Sequence, residues 1–154
     1  MDIVEYKQLD SQKIISFIRN AHKNISKTID LNGKDADLLD LETHYGPSNV
    51  GFWCVLENNQ IIGTVGLRSV QNTNNTCAEI RRLYIQPQWQ NKGIGSRLID
   101  FVINHAKLNG FKLLRATTSF DRTVIIYVLQ KKGFYQIEKY RTSSADLFFE
   151  KSLY

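Results

Sequence analysis

Cysteine and proline are scarce in this 154-residue sequence, two of each, and no apolar run approaches the roughly 18 residues that a membrane-spanning helix needs. Each scarcity excludes something. Cys54 and Cys77 are too few for a disulfide framework and stand in no CxxC or Cys/His spacing, so they read as reduced thiols packed in strands. His22, His44 and His105 are scattered without an HExxH arrangement, and no metal site is expected. No Pro-rich, Ser/Gly-rich or repeated segment marks a boundary, so residues 1–154 are expected to form a single domain. Met1 to Glu5 carries neither the basic nor the apolar region of a signal peptide, which leads to the expectation of a cytoplasmic protein away from membranes.

What is present can fill a core. Hydrophobic residues make up 42% of the chain, with eight Phe and seven Tyr, which excludes a disordered class. The net charge of +5 is unevenly spread: residues 1–76 hold seven Lys/Arg and nine Asp/Glu, residues 77–154 thirteen and six. The basic half should meet something anionic, and nucleic acid, a membrane surface or a phosphorylated cofactor would each serve, so charge alone does not choose. Its basic residues form no long run, which argues against nucleic acid.

Periodicity sets the element order. Ile3 and Val4 open a strand. Ser11 can cap a helix over residues 11–21, where Ile14, Ile15, Phe17 and Ile18 recur at helical spacing, and a second helix is expected over 36–44. Residues 52–56 and 61–70, joined by the polar tip 57–60, read as a hairpin, and a strand comes next at 78–85. A glycine-bearing loop leads to a helix reaching about Asn109. Then come a strand at 112–118, a helix at 123–132 closed by Gly133, and an antiparallel pair at 134–140 and 145–153. The order β-α-α-β-β-β-α-β-α-β-β predicts an α+β fold, a mixed and mostly antiparallel sheet with helices on both faces.

Gly93 and Gly95 lie between a strand and a helix, where missing Cβ atoms let the first-turn amides approach an anion; a tight turn needing glycine for its own dihedrals is the plainer alternative. No Walker loop is present. A dinucleotide fingerprint is also excluded, since Leu98 stands where its third glycine belongs and residues 101–120 hold no acid to bind a ribose.

The segment Gln90-Asn91-Lys92-Gly93-Ile94-Gly95 resembles the Gln/Arg-x-x-Gly-x-Gly/Ala signature of the GNAT N-acetyltransferases. The likeness extends to both sides. Ala78 to Ile85 is similar to the family's fourth strand, and Val128 to Phe134 to its Lys-x-Gly-Phe helix end, so about residues 52–140 are covered by three signatures in order. The resemblance implies a GNAT-like fold and acetyl-CoA as co-substrate. By it, the amides of Asn91, Gly93, Gly95 and Ser96, in a loop formed by Gln90, Asn91, Lys92, Gly93, Ile94 and Gly95, would bind the pyrophosphate. Leu83, Tyr84 and Ile85 would flank the pantetheine on a splayed strand. A non-catalytic acyl-CoA sensor and an enzyme acting on an RNA-linked amine are alternatives from other classes, and a homodimer is compatible with the family.

Acetyl transfer to an ammonium group requires loss of a proton, because the free pKa lies near ~10.4. The resemblance makes Glu79 the general base; a cross-strand pair with Arg68, Arg81 or Arg82 is the structural alternative. It likewise assigns the oxyanion contact to the Leu83 N–H. The tyrosine many members use as acid is replaced by Leu129, which leaves Tyr127 and Tyr84 as the nearby phenols. The expected acceptor is a small cationic amine or a peptide amine. Asp30, Asp35, Asp37, Asp40 and Glu42, opposed only by Lys34 in their segment, would attract its positive charge; a solvated acidic helix face, with Leu38, Leu39 and Leu41 on the buried side, is the plainer alternative.

Overall fold

The computed structural model describes residues 1–154, arranged in three layers around one sheet. Its strands are β1 (Asp2–Glu5), β2 (Gly51–Glu57), β3 (Gln60–Ser69), β4 (Cys77–Ile85), β5 (Leu113–Thr118), β6 (Tyr135–Ile137) and β7 (Leu147–Ser152). Its helices are α1 (Ser11–Asn24), α2 (Leu41–Tyr45), α3 (Ile94–Leu108) and α4 (Thr123–Lys131). The seven strands are ordered β1-β2-β3-β4-β5-β7-β6, and only β4 and β5 run parallel. This is the mixed, mostly antiparallel α+β architecture that the element order predicts. No helix is long and apolar enough to cross a membrane.

The two sheet faces bury different partners. On one, α3 presents Leu98, Ile99, Val102 and Ala106 to Val65, Leu67, Ala78 and Leu114 in a cluster of 21 buried residues. On the other, Ile14, Ile15, Phe17 and Ile18 of α1 pack with Tyr45, Phe52 and Cys54. Gly66 belongs to this second face, where a Cβ would stand 2.8 Å from the Tyr45 ring, so a side chain there would displace an aromatic core residue. Cys54 and Cys77 are buried free thiols, and burial pushes them up to about 12 and about 11, which keeps them protonated and inert.

Three local expectations need correction. Asp10, not Ser11, caps α1, its carboxylate accepting from the Gln12 amide at 2.9 Å. The helix expected over 36–44 is a 3₁₀ turn at Ala36–Leu39 and then the short α2, broken at Asp40, whose side chain caps α2 by accepting from the Thr43 amide at 3.2 Å. Aspartates favour such caps over helix interiors. The strand expected over 134–140 is only Tyr135–Ile137. Beyond it the chain leaves the sheet because Tyr140 and Arg141 are drawn to Glu79 on β4.

Candidate active site

β4 changes partners along its length. Residues Cys77 to Ile80 pair in parallel with Leu113 to Ala116 of β5, and the pairing then stops, so Arg81 to Ile85 present an edge with no β5 neighbour. Against β3 the register slips between Thr64 and Gly66, which leaves Arg82 and Leu83 on β4 standing against Val65 alone. Such a bulge inserts a residue and re-aims the side chains beyond it. Arg82 sits in it with φ of +56°, left-handed backbone that a bulky residue adopts only when its surroundings enforce it.

The enforcement is visible. Thr64, fully buried, donates its hydroxyl to the Arg82 carbonyl at 2.8 Å. The Arg82 guanidinium bonds Asp35 at 2.7 Å and grips Asp37 through both Nε and Nη2. The Tyr45 hydroxyl donates at 2.6 Å to the Asp37 Oδ2 that also accepts from Arg82 Nε, and the Asp30 amide donates to the remaining carboxylate oxygen of Asp35 at 2.8 Å. Burial by itself would raise both carboxyls. For Asp35 the Asp30 amide and Arg82 outweigh it, for Asp37 Arg82 and Tyr45 do, and both lie below the ordinary range. The bulge is thus bolted to the 30–37 segment by a buried three-residue ion cluster.

This corrects the acidic-segment expectation. Asp35 and Asp37 are 2% and 5% exposed and spent on Arg82, Asp40 caps α2, and Glu42 accepts from the Tyr6 hydroxyl. Asp35 and Asp37 hold the bulge, and of the five acids of the segment only Asp35, already paired, lines the cavity beside it.

Just past β4 the loop 90–96 opens onto α3. Gly93 has φ of +84° and nothing within 4 Å of where a Cβ would be; Asn91 is also left-handed at +60°. From Asn91 to Ser96 no backbone amide donates to another backbone group, and α3 has no side-chain cap at its start. Six free amides and a helix N-terminus make a cradle for an anion, and its emptiness of side chains is what a pyrophosphate requires. The Gln90 side chain ties the loop back to the Ile85 carbonyl at 2.9 Å, the Lys92 ammonium lies 5.4 Å from the Trp89 ring, and Ile94 anchors the turn in the core at 4% exposure.

Beyond the bulge, away from that loop, lies a cavity of about 490 Å³. β4 supplies Ile80 to Tyr84, the end of β5 Thr117 and Thr118, the start of α4 Arg122, and the β6–β7 connection residues 141–145. His22 of α1 closes one side, its Nε2 3.0 Å from the Tyr84 hydroxyl. Burial lowers His22, partly opposed by Asp35, and raises Tyr84, so both are neutral near pH 7.

The other sequence candidates scatter. Glu79 is 4% exposed and does not line the cavity; its carboxylate accepts from Tyr140 and from Nε and Nη2 of Arg141. Arg68 is its register partner across β3, yet the ion pair goes to Arg141. Tyr127 is 58% exposed on the far side of α4, beneath the Lys131 ammonium, while Leu129 faces the cavity. Sequence reasoning missed His22, Arg122, Tyr140 and Arg141. The buried position of His22 at helical spacing from Ile15 and Ile18 was the one available signal.

A family model described as the acetyltransferase (GNAT) family matches residues 20–134. A GNAT-family acetyltransferase of Staphylococcus aureus Mu50 superposes with a TM-score of 0.87 over 99% of both chains at 24% identity. The yncA protein of Salmonella typhimurium, solved with its cofactor acetyl-CoA, does so at 0.73 over 99% of this chain and 94% of its own, with 17% identity. N-acetylaspartate synthetase of Danio rerio is 26% identical over 102 residues, 66% of this chain, which spans only 36% of that relative. The structural likenesses establish the fold, and the family model covers most of the sequence, cradle and bulged strand included. The chain belongs to the acetyltransferase (GNAT) family, whose members use acetyl-CoA as co-substrate.

Proposed function

We propose that this chain transfers the acetyl group of acetyl-CoA to a primary amine of a small molecule, an amino acid or a peptide. The observation that carries the reading is the alignment of three features along one strand end: the amide cradle at 91–96, the unpaired β4 edge, and the cavity at the bulge. The cradle takes the pyrophosphate through the amides of Asn91, Gly93, Gly95 and Ser96. The free edge at Leu83 to Ile85 pairs with the pantetheine as an added strand would. Leu83, in the bulge, turns its N–H toward the carbonyl oxygen on which negative charge develops. The amine nitrogen forms a bond to the acetyl carbon as the carbon–sulfur bond breaks, and the departing thiolate takes its proton from solvent.

The proton lost by the ammonium needs an acceptor, and two sets of residues supply one. Glu79 is the first, acting from beneath the cavity once its contact with Arg141 opens. A specific observation favours the second: His22 is neutral, lines the cavity and is hydrogen-bonded to Tyr84, so it can accept a proton directly or through that phenol. Substituting His22 by Gln and Glu79 by Gln separately assigns the role, since only loss of the true acceptor makes the rate recover as pH rises toward the amine's own pKa.

Acetyl-CoA at a hundredfold excess over its Kd is expected to stabilise the fold by about 2.7 kcal/mol, since ligand held by the native cradle alone shifts the unfolding equilibrium. Gly93→Val places a branched side chain in the open mouth of the cradle at a φ such residues avoid. Thermal melts should show that shift abolished while the free variant still unfolds cooperatively. An undiminished shift would put the phosphates elsewhere.

A further inference from the structure

Most of the charge in the cavity is positive and part of it is unanswered. Of six basic residues in its wall, Arg82 is matched by Asp35 and Asp37, and Arg141 by Glu79. Lys27, Lys34, Arg81 and Arg122 have no carboxylate within ion-pair distance. Lys34 is exposed, where a lone cation is unremarkable, and Lys27 is half-buried but ends in a compact ammonium on a flexible stem that can turn to water.

The two arginines are different. Both are half-buried, and neither donates a side-chain hydrogen bond to the protein. Arg81 lies opposite Gly66, which offers nothing, and the acids around it are engaged elsewhere: Glu79, two residues back, by Tyr140 and Arg141, and Asp37, which feels the Arg81 charge, by Arg82 and Tyr45. Arg122 precedes α4, its guanidinium 5.8 Å from the Tyr84 ring, and burial draws it below the ordinary guanidinium range. A guanidinium carries five N–H donors, and taking it from water without an acceptor is costly. A third donor points the same way. The Thr118 hydroxyl, 4% exposed on the same wall, has no hydrogen-bond partner. None of the cradle residues 91–96 lines this cavity, so the phosphates held there do not account for these donors.

We propose that the acceptor is a primary amine that also carries a carboxylate, and that Arg81, Arg122 and the Thr118 hydroxyl bind that carboxylate. The inference rests on the N-acetyltransferase reading and adds a negative group to the cationic acceptor that the acidic segment 30–42 had suggested. A carboxylate supplies two acceptor oxygens to guanidinium groups, and the surplus of cations favours its entry. The wall then selects among amines by what their far end presents, not by the ammonium common to them all.

The test is turnover of matched sets, each an amino acid, its carboxamide and its decarboxylated amine, with the free thiol of CoA as readout. The carboxylate-bearing member is expected to lead in kcat/KM by about 10- to 100-fold, the range for hydrogen bonds to a charged group. Arg81→Gln with Arg122→Gln should erase that lead through KM, leave the acetyl-CoA thermal shift intact, and change the melting temperature little, because neither side chain donates an internal hydrogen bond or forms an ion pair. Equal or better use of the amides or decarboxylated amines overturns the proposal while leaving the transferase reading in place. If no amine at all releases thiol, the transferase reading fails; the carboxylate site is then read directly from melting shifts by N-acetyl amino acids in the presence of CoA. Shifts present in the wild type and lost in the double variant sustain it, and their absence overturns it.

Discussion

Replacing Arg82 by Met is expected to lower stability by about 3–5 kcal/mol, the usual consequence of removing one partner from a buried ion pair. Asp35 and Asp37 would be left at 2% and 5% exposure with no counter-charge. For a chain of this length that is a fall of about 10 °C in Tm. The sign of the pH dependence identifies the cause. In the wild type both carboxyls are depressed below their unfolded value of about 3.9, so their contribution is full above that pH and is lost as pH falls through the folded values. In the variant burial acts unopposed and disfavours the charged carboxylates, so acid relieves it. The gap in stability between the two proteins should therefore narrow from pH 7 toward pH 3. Asp35→Asn with Asp37→Asn in the Arg82→Met background should recover part of the loss at neutral pH. Urea melts across that range check all three statements, and a pH-independent gap would show that backbone strain at the bulge, not the ion cluster, sets the effect.

The ion cluster also marks where sequence stops being informative. Strands, helices and the 91–96 cradle were legible because they obey local rules: alternation, helical spacing, and glycine where the φ of +84° at Gly93 demands it. The failures share a different cause. Segment 36–44 reads as a helix, but Asp37 is required by Arg82, 45 residues away, and the chain makes only a 3₁₀ turn there before Asp40 starts α2. The strand after Phe134 stops short because Tyr140 and Arg141 are claimed by Glu79, 61 and 62 residues distant. In each case a long-range charge overrides a local propensity, and no spacing within one segment could announce it. The same blindness affects the acidic segment 30–42. An acidic stretch counted along the chain looks like a cation funnel, yet in space Asp35 and Asp37 are consumed by Arg82, and the unpaired charges lining the cavity are cations, Arg81 and Arg122 among them. The positions of Glu79 and Tyr127 were equally beyond reach, since whether a side chain meets the cavity depends on the β3–β4 slip and on the rotation of α4, not on the neighbours in sequence.

Glu79→Gln should reduce kcat by about 10²–10⁴-fold near neutral pH if Glu79 takes the ammonium proton, with acetyl-CoA binding unchanged, since general-base catalysis contributes about that much. The structure supplies the control that separates chemistry from scaffolding. Glu79 is held by Arg141 and Tyr140, and through them it fixes the 141–145 segment that forms part of the cavity wall. Losing the carboxylate could thus slow the reaction merely by freeing that wall. Arg141→Met with Tyr140→Phe removes both donors and frees the wall but keeps the carboxylate, so the two variants should diverge: the Gln variant recovers as pH climbs toward the amine's pKa of about 10, where substrate deprotonates unaided. The double variant has no such recovery, and its loss should appear chiefly in KM for the amine. Equal, pH-independent losses in both variants would make Glu79 a positioning residue of the wall. The recovery with pH would then be sought in His22→Gln, whose imidazole, kept neutral by burial and 3.0 Å from the Tyr84 hydroxyl, is the other proton acceptor facing the cavity.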